Sequence, residues 1–162
     1  MEVNFYGYLY PTKFALPHLK QTQGQIVVMS SYSGEIGLSN RTAYCASKFA
    51  VTGFFESLRM EMGTAIDITI ICPVTVETSF REHYLLKEGD TAAKESGEGK
   101  DKETRIKAGS SLTVDEAIDV ILESIDKKAR KVLFPTKAWF STYFRPFFPD
   151  YIDKRLADLS KL

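Results

Sequence analysis

The chain has 162 residues, with 21 basic and 21 acidic side chains, 44% apolar residues and 12% aromatics. That length suits a single domain with a buried core, and the apolar share excludes wholesale disorder. Zero net charge removes the electrostatic case for nucleic-acid binding, and no apolar run approaches the roughly 18 residues of a membrane span. Two cysteines, Cys45 and Cys72, are too few for a disulfide scaffold, and no Cys/His cluster has metal-ligand spacing. These features predict a protein of a reducing compartment, without a metal centre.

Residues 2–20, with prolines at 11 and 17, predict a helix kinked or interrupted near Pro11, where proline removes a donor and clashes one turn back. Gln25–Ser30 (QIVVMS) is a continuous apolar run of the kind found in strands covered on both faces. Residues 31–41 predict a loop and 42–62 a long helix ending at Gly63. Asp67–Cys72 (DITIIC) repeats the strand signature and stops at Pro73. Strand, helix, strand with short connections is a βαβ unit, which predicts parallel strands.

Residues 87–109 contain one large aliphatic residue, Ile106, and read as a flap or as plain disorder. Residues 113–128 carry an apolar stripe and a T-x-x-E capping box at Thr113 and Glu116, predicting a helix. Lys131–Phe134 then predicts a third strand. Trp139, Phe140, Tyr143, Phe144, Phe147, Phe148 and Tyr151 follow at helical intervals among Lys137, Arg145, Lys154 and Arg155, with Pro146 and Pro149 dividing the stretch in two. It reads as a cover over an apolar pocket or dimer contact, or as a peripheral membrane contact through 137–155.

Tyr44 and Lys48 stand four apart on the 42–62 helix, so both project from one face. A phenol ordinarily titrates near 10, and a nearby ammonium stabilises the phenolate. A three-unit drop takes about 4 kcal/mol of differential interaction. The spacing alone is weak: 8 tyrosines and 14 lysines give about 0.7 such pairs by chance. Context strengthens it. Ser31 lies just past the QIVVMS strand, and Pro73 to Thr78 follow the other strand, both at carboxyl ends where parallel sheets bind ligands.

The run G-Q-I-V-V-M-S-S-Y-S-G followed by A-Y-C-A-S-K-F-A-V-T-G-F resembles the active-site region of the short-chain dehydrogenase/reductase family, and V-N-F-Y-G at 3–7 resembles its kinked-helix asparagine motif. Cys45 to Ala50 and Gly53 to Arg59 are similar to its 11-beta-hydroxysteroid dehydrogenase-like and dehydrogenase/reductase member 7-like branches. The resemblance implies a Rossmann-type, doubly wound parallel α/β sheet, here about three strands with flanking helices. It implies that Tyr44 exchanges a proton with the substrate oxygen, that Lys48 depresses its pKa and holds the nicotinamide ribose, and that Ser31 stabilises the carbonyl. Asn4 would hold a water leading from Lys48 to solvent. Pro73, Val74, Val76 and Thr78 would contact the nicotinamide carboxamide of NADP(H) or NAD(H).

Two departures stand out. Val74 occupies a place where the family usually has glycine. No G-x-G-x-x-G or G-x-x-x-G-x-G turn occurs, so the chain reads as the carboxyl-terminal catalytic half of one domain (1–162), without the pyrophosphate-binding half. Its 79–112 segment would be a substrate loop and 136–162 an aromatic extension. The QIVVMS strand would then present an unpaired apolar edge. Met1 reads either as an internal methionine or as the start of a natural short form.

The expected function is interconversion of a secondary alcohol and a ketone on a hydrophobic, lipid- or steroid-like substrate. The alternative is a non-catalytic truncated relative that pairs with a complete one. The expected state is a homo-oligomer, in the cytoplasm or on an endoplasmic-reticulum-like membrane surface. A serine-hydrolase role for Ser31 is disfavoured, since no G-x-S-x-G elbow occurs and neither His18 nor His83 has a suggestive neighbourhood.

Overall fold

The computed structural model describes residues 1–77 and 112–161. Thr78 and the predicted loop at 79–112, apart from Leu112, lie outside the described residues.

Three strands, β1 (Gln25–Met29), β2 (Asp67–Pro73) and β3 (Lys131–Phe134), form a parallel sheet in the order β1-β2-β3. Val28 pairs with Ile70 and Cys72 with Leu133. Helices α1 (Gly7–Thr22), α2 (Thr42–Met62), α3 (Val114–Asp126), α4 (Ala138–Phe144) and α5 (Pro149–Lys161) complete the described fold. The fold is the predicted α/β arrangement.

Consecutive residues of a strand face opposite sides of the sheet, and β2 obeys this in its packing. Ile70 and Cys72 join α2 residues Val51, Phe55 and Leu58 in the main core, while Ile71 joins Ala117, Val120 and Ile121 of α3 on the other side. Residues 68–72 are all buried, as a strand covered on both faces requires. Full burial of a side chain such as Phe55 contributes about 2–3 kcal/mol.

β1 departs from the prediction. Val28 is buried under α2, but on the opposite face α3 meets only the start of the strand, where Gln25 Nε2 donates to the Ile125 carbonyl at 3.2 Å, and Val27 and Met29 stay exposed. Its second edge pairs with no strand among the described residues. The continuous apolar run QIVVMS therefore reports one covered face here, not two.

α1 also differs from expectation. It runs unbroken through Pro11 and Pro17, and the irregularity lies upstream, where Glu2–Tyr6 is wound as a π-helical turn. Both prolines are exposed, and on that side carbonyls can tilt out toward water. The π-helical turn lays Phe5, and α1 lays Tyr8, Leu16 and Leu19, against the core.

The caps follow the sequence. Thr113 Oγ1 accepts from the Glu116 amide at 3.3 Å while the Glu116 carboxylate accepts from the Thr113 amide at 2.9 Å. α2 ends at Gly63, whose φ of 57° suits glycine. Pro146 and Pro149 separate α4 from α5 as predicted.

Leu112 is the first described residue after the gap, and it forms a parallel bridge with Val76. The Glu77 amide donates to the Leu112 carbonyl at 2.9 Å, and the Leu112 amide to the Thr75 carbonyl at 3.1 Å. The chain thus leaves and re-enters the described fold at one point, beside the carboxyl end of β2.

Candidate active site

The carboxyl end of β1 leads directly into Ser30, Ser31 and a 3-10 turn, Tyr32–Gly34. Ser31 is buried and caps that turn, its Oγ accepting from the Ser33 amide at 3.2 Å. The turn presses on α2. A Cβ placed on Gly34 would stand 2.8 Å from the Lys48 carbonyl oxygen, 2.7 Å from Thr52 Oγ1 and 2.8 Å from Ser30 Oγ. The latter two hydroxyls are themselves hydrogen-bonded at 2.8 Å. Only glycine permits this approach, which holds the Ser31 turn against the helix bearing Tyr44 and Lys48.

Tyr44 sits in the first turn of α2 with 38% of its surface exposed, whereas Lys48 is 7% exposed. The Lys48 ammonium donates to the Met29 carbonyl at 2.9 Å. It lies 5.4 Å from the ring centroid of Tyr8 and 5.9 Å from that of Tyr44, within cation–π range of both. Burial pushes its pKa below the usual lysine value, and the Cys72 thiol works against that shift.

Tyr8, which is not among the residues expected from sequence, joins this cluster. Its hydroxyl donates to the same Met29 carbonyl at 2.8 Å. Burial, then the proximity of Tyr44, raises its pKa. The signal was available: Tyr8 is four residues after Asn4 and so shares its helix face.

Asn4 reaches α2 by another route. Its Nδ2 donates to Ser47 Oγ at 3.2 Å, and the Ser47 hydroxyl donates to the Tyr44 carbonyl at 2.7 Å. Asn4 therefore ties the π-helical turn to the segment between Tyr44 and Lys48. The structure brings Asn4, Tyr44 and Lys48 together, and seats the Ser31 turn on the same stretch of α2.

At the end of β2, Pro73 pairs with Phe134 and the Val74 amide donates to the Phe134 carbonyl at 2.9 Å. The Val74 side chain, partly buried, packs against the main core. The residue in the glycine position thus turns inward. Val76 packs on the α3 side, and because its neighbours bond Leu112, its own amide and carbonyl point away from Leu112.

A cleft of about 340 Å³ opens beside the first turn of α2, lined by Gly37, Leu38, Thr42, Cys45, Arg145 and Leu156 among others. Arg145 Nε and Asp153 Oδ1 form an ion pair at its rim, 2.7 Å apart. The aromatic stretch does not cover this cleft. Phe140, Tyr143, Phe144, Phe147, Phe148 and Tyr151 are all exposed, while Trp139, Ile152 and Leu156 carry the inward packing. No group of residues suited to a metal ion occurs among the described residues.

The family model described as short chain dehydrogenase matches residues 1–89. A Pinus massoniana protein named 11-beta-hydroxysteroid dehydrogenase is 36% identical over 156 residues, covering 94% of this chain and 42% of its own length. A Dictyostelium discoideum dehydrogenase/reductase SDR family protein 7-like is 30% identical over 153 residues, again 94% of this chain and 44% of its own. The chain thus spans less than half the length of these relatives. A short chain dehydrogenase from Burkholderia cenocepacia, solved in complex with NADP, superposes with a TM-score of 0.72 at 20% identity, over 96% of this chain and 56% of that one. Fold and sequence agree, and the chain belongs to the short-chain dehydrogenase family.

Proposed function

We propose that this chain carries the proton-transfer half of a nicotinamide-dependent oxidoreductase that interconverts a secondary alcohol and a ketone on a hydrophobic substrate. The observation that carries the reading is the Lys48 ammonium, buried between two tyrosine rings at the carboxyl end of β1. Among the described residues its one hydrogen-bond acceptor is a neutral carbonyl, and no ion pair includes it.

A buried cation balanced only by dipoles stabilises an anion placed beside it. Tyr44, one turn away and partly exposed, is the acid–base group beside it. The phenol donates its proton to a carbonyl oxygen in reduction and recovers it in oxidation. Ser31 Oγ supplies a second hydrogen bond to that oxygen. Asn4 fixes the backbone of the Tyr44 turn through Ser47. The residues fit a nicotinamide cofactor: Lys48 can hold hydroxyls of its ribose, and the backbone of Val76, turned away from Leu112, can meet its carboxamide. When bound, that group supplies the hydride; the protein supplies position and electrostatics.

The test is NAD(P)H oxidation by the purified chain with an apolar ketone, alongside Tyr44→Phe. Loss of a general acid costs about 100- to 10,000-fold, so Tyr44→Phe is expected to fall at least 100-fold. A Tyr44→Phe rate within tenfold of the wild-type rate refutes the assignment. Absence of both turnover and cofactor binding favours a non-catalytic role as partner of a complete relative.

For the surface, we infer contact with a bilayer interface through 137–155. Six exposed aromatics on α4, α5 and their junction, with Lys137, Lys154 and Arg155 nearby, have the composition of an interfacial anchor. No described helix is long and apolar enough to cross a membrane.

A further inference from the structure

The Ser31 turn is held from a second side by charge. Glu35 closes the 3-10 turn, and both its carboxylate oxygens accept from Lys131 Nζ, at 3.0 and 2.9 Å. The same ammonium pairs with Glu56 of α2 at 2.6 Å. Lys131 is the first residue of β3, so one cation joins the sheet, the helix and the turn. Cys72 of β2 adds a contact, its Sγ 3.8 Å from Glu35 Oε1. The Lys131 and Glu35 side chains are 21% and 13% exposed, too enclosed for water to replace the pair fully.

Resting on the oxidoreductase reading above, we propose that Lys131 is a positioning residue, which sets the place of Ser31 against Tyr44 and Lys48 by clamping Glu35 to Glu56. It touches neither substrate nor cofactor. Two carboxylates converge on its ammonium, so its removal leaves like charges facing each other between the turn and α2. The turn then moves away from the helix, and the hydroxyl of Ser31 moves with it. The contact at Gly34 resists approach; Lys131 resists separation. Together they fix the spacing.

The experiment compares the wild-type chain with Lys131→Met, Lys131→Arg, Glu35→Gln and Tyr44→Phe. Amide exchange is followed by NMR at Gly34 and Glu35, whose amides bond to the Ser31 and Tyr32 carbonyls, and turnover is followed with an apolar ketone. Lys131→Met is expected to speed exchange at these two amides at least tenfold while β1 amides stay within twofold. Its kcat is expected to fall about tenfold with KM for the nicotinamide cofactor within twofold. Lys131→Arg is expected to restore both. Glu35→Gln keeps the side-chain volume and is expected to give the same local signature if Lys131→Met does not fold.

Unchanged exchange at Gly34 and Glu35, or equal acceleration throughout β1 and α2, overturns the proposal. If wild type shows no turnover, or Tyr44→Phe matches it, the oxidoreductase reading fails while the exchange data still decide whether Lys131 holds the turn.

Discussion

Replacing Gly34 by alanine tests the packing on which the site depends. The new methyl carbon would stand 2.7–2.8 Å from three oxygens, well inside van der Waals contact. Two of these are the Ser30 and Thr52 hydroxyls, which already bond each other. The third is the Lys48 carbonyl, which moves only if α2 moves. Overpacking of this kind costs about 1–3 kcal/mol, and loss of the buried hydroxyl pair adds roughly 1 kcal/mol. A destabilisation of about 2–4 kcal/mol is therefore expected in urea unfolding. Gly53→Ala is the matched control: nothing lies within 4 Å of its added Cβ, and alanine is the better helix former by about 0.5–1 kcal/mol. Adding Thr52→Ala to Gly34→Ala is expected to recover part of the loss but not all, since the Lys48 carbonyl remains. A Gly34→Ala midpoint within about 0.5 kcal/mol of wild type, a shift typical of ordinary surface substitutions, would refute the close approach of turn and helix.

Two further outcomes are expected. Burial, then Glu35, pushes the Cys72 thiol from 9.0 up to about 12. The unfolded chain releases this proton first, so the contribution is whole below pH 9 and is lost as pH rises toward 12. Wild type should lose about 1 kcal/mol more than Cys72→Ala between about pH 8 and 10 in urea titrations, and parallel losses would contradict it. Separately, the chain should sediment with vesicles containing phosphatidylserine, and Phe147→Ser with Phe148→Ser should cut the bound fraction severalfold. Equal sedimentation of this double variant would dismiss the lipid contact.

Most of the fold was legible because its signals are local. Lys131–Phe134, the Thr113–Glu116 capping box and the division at Pro146 and Pro149 are each set within a few residues. The one-sided cover of β1 was not, because an apolar run reads alike whether one face or two are covered. The unbroken path of α1 through Pro11 and Pro17 depends on both prolines facing solvent, which a weakly amphipathic helix does not announce. The proximity of Tyr44 and Lys48 was legible from their i,i+4 spacing on one helix, and their candidacy from the strand end before them and the family resemblance. Glu35 and Lys131 were not: 96 residues separate them, and a lone Glu or Lys in sequence reads as surface.

The electrostatics of Lys48 set it apart from a structural lysine. A lysine 7% exposed and bonded to a backbone carbonyl is an expensive way to hold a helix on a strand. Methionine would fill similar space without the desolvation that lowers the Lys48 pKa. Lys131 shows the ordinary solution in the same molecule: burial acts to lower its pKa, but Glu56 and Glu35 outweigh that and raise it. The buried Lys48 ammonium and the partly buried Lys131 ammonium therefore differ in what balances them. One is matched by carboxylates and is complete as it stands. The other is met by a carbonyl and two aromatic faces, and carries no carboxylate partner among the described residues. Under the proposed function, Tyr44 and a bound cofactor are the groups that would meet this charge at the end of β1.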